Sequence, residues 1–219
     1  IGARGLYSKK NLEENLWTIN PKIDLVPDIG WVFGRLCPNF EETIFQISKT
    51  QNIDLAKNNY IVFNTNSTAI NEEKISAVKE QLNNYAKENN TKVVILSITK
   101  TYNEYETLKN FEADNCILLP DNLSTKEKLA LLLGAKFYIG SSLHSAITTM
   151  NLAKPAILIH NVMLQKFQDL YNHMFTPEYL NDSRGWDNIM NLLEMAEKDF
   201  KNADKTSVRQ KYVDFMEST

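Results

Sequence analysis

The sequence predicts an α/β fold: an open, doubly wound parallel sheet followed by C-terminal helices. Two observations carry this. Short apolar, β-branched runs recur five times, at 60–63, 92–98, 116–119, 136–139 and 155–159. They are apolar on both faces, as strands covered by helices on either side must be. Between them lie longer segments of helical periodicity, and regular alternation of the two specifies parallel strands joined by crossovers.

In chain order, residues 8–17 read as a helix, 23–26 as a strand stopped by Pro27, and 40–49 as a second helix. The chain enters at Arg4 with no strand expected before it. After the strand at 60–63, residues 71–89 place Ile75, Val78, Leu82, Tyr85 and Ala86 at helical spacing. A short helix fits 103–111. Ser124-Thr125-Lys126-Glu127 is a capping box opening a helix through Leu133, with Gly134 as its C-terminal stop. Residues 143–152 and 162–173 read as helices, and 186–200 and 207–216 as two amphipathic helices packing on the sheet. Residues 1–59 are thus expected to be an incoming helix-strand-helix segment, and 60–219 the main domain.

Composition narrows the function. The 219 residues carry 24 basic and 27 acidic side chains, net −3, which argues against a nucleic-acid partner. A hydrophobic share of 43% excludes wholesale disorder. Cys37 and Cys116 read as reduced core thiols. No run of 18 apolar residues suggests a membrane span, and Ile1-Gly2-Ala3-Arg4 does not open like a signal peptide, so a cytoplasmic protein is expected. The seven glycines form neither a dinucleotide-binding fingerprint nor a P-loop. Clustered metal-ligand spacings are missing as well, and neither metal nor cofactor is expected.

In such a sheet, ligands bind beyond the carboxyl ends of the strands, where strand order reverses. The candidate loops are 64–66, 97–100, 140–144 and 160–161. The most informative is Gly140-Ser141-Ser142-Leu143-His144, which runs from strand into helix. Its backbone N–H groups and the helix dipole favour an anion. Ser141 or Ser142 can cap the helix, and His144 lies in its first turn. A plainer alternative is that the serines only cap and His144 is an ordinary histidine. His160, closing the fifth strand, could reach the same crevice, whereas His173 reads as structural. A serine hydrolase would need a G-x-S-x-G elbow, which this loop lacks.

These residues, in order, resemble the polysaccharide pyruvyl transferase family. The likeness rests on Ala3-Arg4-Gly5-Leu6-Tyr7-Ser8 followed by Val26-Pro27-Asp28, on 139–147 with its Leu143-His144 pair, and on Lys154-Pro155-Ala156-Ile157-Leu158 with Lys166 beyond. The resemblance implies a Rossmann-like domain of the GT-B C-terminal type, holding the donor, with the acceptor-binding N-terminal domain missing. It implies transfer of a pyruvyl group from phosphoenolpyruvate to two hydroxyls of a sugar, forming a ketal. The acceptor is then a sugar or lipid-linked oligosaccharide, the latter bringing the enzyme peripherally to a membrane. His144 would be general acid or phosphate ligand and Arg4 an anion clamp. Gly140, Ser141, Ser142, Leu143, Asn64, His160 and Lys166 would bind substrate. A helix N-terminus disfavours imidazolium, so a bound anion would be needed to restore the protonated form. Many members carry arginine where this chain has Ser142, leaving Lys100 or Lys166 to compensate.

Two other classes fit the same residues. A glycosyltransferase domain could bind a nucleotide-sugar diphosphate at the same helix terminus, although the helix at 143–152 has no acidic residue to hold a ribose. A non-catalytic binding module would show an uncovered apolar face near Trp31 and Phe33.

Overall fold

The computed structural model describes residues 2–3, 6–15, 22–26, 28–164, 166–169 and 177–218. Arg4 and His173 lie outside these residues, as do parts of the helices expected at 8–17 and 162–173.

Six parallel strands form the central sheet: β3 (Tyr60–Asn64), β4 (Lys92–Ile95), β5 (Cys116–Leu118), β6 (Tyr138–Gly140), β7 (Ala156–Ile159) and β8 (Leu180–Asn181), in the order β5-β4-β3-β6-β7-β8. Every residue of the central strand β3 is buried, which is why its sequence is apolar without alternation. Successive side chains leave on opposite faces: Tyr60 Oη donates to Leu131 O (2.8 Å), while Phe63 packs on Phe111 (4.9 Å between ring centres) and Trp186. The chain winds outward from β3 to β5, then crosses back to β6. Strand order therefore reverses between β3 and β6.

The helices pack as two groups. In one, α3 (Phe40–Gln51) lies on α6 (Thr125–Gly134), which touches α7 (Leu143–Met150). In the other, α4 (Glu72–Glu88) lies on α8 (Ile189–Lys201), where Tyr85 Oη donates to Glu197 Oε2 (2.6 Å). A short α5 (Glu104–Lys109) follows β4, and α9 (Ala203–Ser218) closes the described chain. The capping box at Ser124 is present, with Glu127 N donating to the serine hydroxyl and Ser124 N to the Glu127 carboxylate.

Several expectations are corrected. Gly134 is the last helical residue of α6 and has no left-handed conformation. It is small because α3 crosses there: a Cβ would stand 2.2 Å from Ile44 Cδ1 and 2.7 Å from Tyr60 Oη. Residues 162–164 are not helical, whereas 166–169 are. The strand Leu180–Asn181 is an addition to the five expected, too short and polar to show periodicity. Gly2–Ala3 (β1) also forms a strand, pairing in parallel with Asp24–Leu25 (β2). Trp31 is buried, edge-on to Tyr212 (5.5 Å), and Phe33 is half-buried. Cys37 and Cys116 are buried free thiols.

Between β2 and α3 the chain forms a 3-10 turn, Ile29–Val32, and a four-residue helix, α2 (Phe33–Leu36). This segment is held to the far end of α7. Asn151 Oδ1 accepts from Gly34 N (2.9 Å), and its Nδ2 donates to Gly30 O (3.1 Å).

Candidate active site

Gly140 closes β6 at the point where strand order reverses, in register with Asn64 of β3. Ser141 N donates to Asn64 O (3.1 Å), bringing the two backbones together. A Cβ on Gly140 would stand 2.0 Å from Asn64 O and 2.7 Å from Tyr138 Oη, so only glycine fits. The loop then curls over Tyr138, whose buried hydroxyl accepts from Ser142 N (2.8 Å).

Ser142, not Ser141, is the helix cap: its Oγ accepts from Ser145 N (3.4 Å) and from Ser145 Oγ (3.0 Å). Ser141 Oγ is buried and has no hydrogen-bond partner among the described residues. The next side chain, Leu143, turns into the core at 7% exposure. It anchors the helix start. Asn64, also expected to bind substrate, closes β3. Its side chain is fully covered, and Nδ2 donates to Leu96 O (2.9 Å), tying β3 to the end of β4.

His144 points outward and is 56% exposed. Its Nε2 lies 3.7 Å from Oδ1 of Asp28, which is 8% exposed. Helix geometry accounts for the pairing. His144, Ile147 and Asn151 follow one another at three and four residues, a single stripe along the helix. Ile147 packs against Gly30, and Asn151 holds Gly30 and Gly34, so the stripe docks the 28–34 segment along its length. At the head of that segment, Asp28 caps the 3-10 turn, its Oδ1 accepting from Gly30 N (2.9 Å). The cap fixes the carboxylate beside the imidazole. The chain itself thus places a carboxylate beside the imidazole. Its proximity to His144 was not foreseen, because it depends on a tertiary contact that no local spacing encodes.

Glu104, also unforeseen, opens α5 and reaches back to the loop that follows β4. It is 3% exposed, and its Oε1 accepts from Ile98 N, Thr99 N (3.0 Å) and Ser97 Oγ (3.3 Å). Burial pushes its pKa above the usual carboxylate range, against these hydrogen bonds. It shapes the 97–100 loop, and Lys100 lines a 170 Å³ cavity with Glu104 and Ser97.

His160 follows β7 on the same edge of the sheet. Its Nδ1 accepts from Val162 N (3.2 Å) and its ring packs on Phe167 (6.0 Å between ring centres). Burial, then the charge of Lys166, lowers its pKa. Lys166 itself is exposed, beside Phe167. The described residues therefore divide the expected site into two groups: Gly140, Ser142 and His144 with Asp28, and His160 with Lys166.

Residues 1–161 match the family model described as Polysaccharide pyruvyl transferase. The chain belongs to the polysaccharide pyruvyl transferase family. The match spans both Asp28 and His144. No curated protein matches the sequence. Among solved structures, it is similar to an alpha,alpha-trehalose-phosphate synthase (UDP-forming) from Burkholderia xenovorans, solved with glucose-6-phosphate, with a TM-score of 0.57 and 10% identity. The similarity covers 89% of this chain and 47% of that one, so the pyruvyl transferase chain spans about half the length of this structural neighbour. At that identity the likeness is one of fold, a Rossmann-like α/β unit. Among the described residues no helix is long and apolar enough to cross a membrane, and no three His, Cys, Asp or Glu side chains are grouped to hold a metal.

Proposed function

We propose that this chain is the donor-binding half of an enzyme that transfers the pyruvyl group of phosphoenolpyruvate to two hydroxyls of a cell-surface polysaccharide sugar. The products are a cyclic ketal and phosphate. The observation that carries the reading is His144 facing Asp28 at the start of α7, beside the strand-order reversal.

The chemistry follows from the groups present. Phosphoenolpyruvate brings a carboxylate and a phosphate, and the helix start at Ser142 and Leu143 offers backbone N–H groups and a positive dipole end. Arg4, at the family's arginine position, clamps one of the two anions. His144 delivers its proton to the methylene carbon, making the methyl group, as the first sugar hydroxyl adds to the adjacent carbon. That hydroxyl's proton replenishes the acid. The second hydroxyl then displaces phosphate at the same carbon, and its proton leaves with the phosphate. Asp28 holds the ring in place and pairs with it whenever Nε2 is protonated. Ser142 stands where many members carry arginine, so Lys100 and Lys166 are the cations left to meet the donor's charge. The acceptor sugar is held from across a cleft by a second domain, in the GT-B manner.

Thermal-shift titration with phosphoenolpyruvate, UDP-glucose and GDP-mannose tests the donor, because a ligand that binds only the folded chain raises its apparent stability. A shift with phosphoenolpyruvate alone is expected. A shift with a nucleotide sugar alone would replace this reading with that of a glycosyltransferase.

A further inference from the structure

Beside the first turn of α4, a groove of about 470 Å³ opens between that helix and α5. This is within the range of small-molecule clefts. It is separate from the His144–Asp28 pair and shares none of its residues. Ser67, which lies three positions beyond the last residue of β3, is at its edge, so the groove meets the same carboxyl side of the sheet.

The lining has a definite chemical character. Ser67, Ser76 and Thr107 supply hydroxyls, Asn103 and Asn110 supply amides, and Ile70 and Ile75 form an apolar floor. Two carboxylates, Glu72 and Glu106, complete it, and none of the lining residues is a lysine, arginine or histidine. Glu106 is paired with Lys109 (2.7 Å). A phosphate, a carboxylate or a nucleotide would meet acceptors and no cation. An uncharged polyhydroxyl would find acceptors at the Ser67 and Thr107 hydroxyls, which themselves donate to Tyr102 O and Asn103 O, and donors at Ser76 and Asn103, around an apolar patch that suits the C–H face of a sugar ring.

An exposed tyrosine precedes the lining residue Asn103 in the chain. Tyr102 is 64% exposed, and it and Asn103 both adopt left-handed backbone (φ 56° and 52°). Left-handed backbone costs energy in a tyrosine and persists only where the surroundings enforce it. Ser67 Oγ does so here by donating to Tyr102 O (2.8 Å). The Tyr102 backbone is thereby tied to Ser67 at the edge of the groove, and its side chain is exposed.

We propose that this groove is a carbohydrate subsite for an uncharged sugar unit, with Tyr102 as its aromatic lip. That the sugar is a neighbouring unit of the transferase's own acceptor rests on the function proposed above; the groove's preference for neutral carbohydrate does not. The test is NMR titration of the ¹⁵N-labelled chain with lactose and cellobiose, and separately with phosphoenolpyruvate. Shifts at Ser67, Ser76, Asn103, Thr107 and Asn110 are expected with the disaccharides and not with phosphoenolpyruvate. Tyr102→Asn removes the ring while keeping a residue that tolerates left-handed backbone, and Glu106→Gln removes one charged acceptor. Each is expected to weaken binding about tenfold, as loss of one hydrogen bond to a charged group or one stacked ring does. Disaccharide shifts confined to residues 140–144, undiminished binding in both variants, or no binding of either disaccharide would overturn the proposal. Donor binding, read in the phosphoenolpyruvate arm, stands or falls independently of that outcome.

Discussion

His144 Nε2 lies 3.7 Å from Asp28 Oδ1, joining the first turn of α7 to a 3-10 turn more than a hundred residues earlier. The contact becomes an ion pair once the ring is protonated, and Asp28 is held for it by its cap on Gly30 N. Asp28→Asn keeps an oxygen able to accept from Gly30 while removing the charge. Transfer activity is expected to fall about 10- to 100-fold, as when a partner that orients a functional side chain is lost. Steady-state kinetics with a circular-dichroism melt separates this from unfolding: the melting temperature should stay close to wild type.

Gly140→Ala tests the close approach of β6 to β3. Its Cβ would sit 2.0 Å from Asn64 O, a backbone atom that cannot turn aside. A loss of about 3 kcal/mol is expected in urea denaturation, at the upper end for overpacking. A loss under 1 kcal/mol would mean that the strand ends separate readily.

The alternation of strands and helices was legible because parallel strands buried on both faces must be apolar throughout, as at 60–63 and 92–95. The Gly140–His144 loop was legible too, since a glycine and capping serines between strand and helix mark the carboxyl edge. The two-residue strands at Gly2–Ala3 and Leu180–Asn181 were not, being too short to carry a pattern. Gly134 was placed as a helix stop because a glycine after an apolar run reads the same whether it serves conformation or close packing. Leu143 and Asn64 stand where chain position suggests substrate contact, and the burial of their side chains is a tertiary property that local sequence does not carry. The Asp28–His144 pair and buried Glu104 depend on which loops meet, and no local spacing encodes that.

Ser142→Ala removes the cap of α7, leaving Ser145 N without its side-chain partner. The expected cost is about 1 kcal/mol. Measured by chemical denaturation, it should be accompanied by a weaker phosphoenolpyruvate thermal shift, because the proposed function places the donor at the same helix start.

Lys154 gives the pH dependence. It is 6% exposed and donates to Leu133 O and Ala135 O (both 2.6 Å). Burial, then the nearby charge of Lys57, lowers its pKa from 10.5 to about 7. Between those values the unfolded chain holds a proton that the folded chain has shed. Stability relative to a variant without the amine therefore rises with pH from about 7 to about 10.5, and the gain is absent below that window. The slope is at most about 1.4 kcal/mol per pH unit. Urea denaturation of wild type and Lys154→Met at pH 6, 8 and 9.5 reads it. A difference between the two that stays constant with pH would contradict the depressed value.

Phosphate release from phosphoenolpyruvate in the presence of a sugar acceptor, compared between wild type and His144→Ala in the full-length protein, tests the central assignment most directly. The ring is more than half exposed, so its removal should leave folding intact. Loss of a general acid predicts at least a 100-fold fall in turnover with an unchanged melting temperature. Unchanged turnover would contradict the assignment of His144 as the acid.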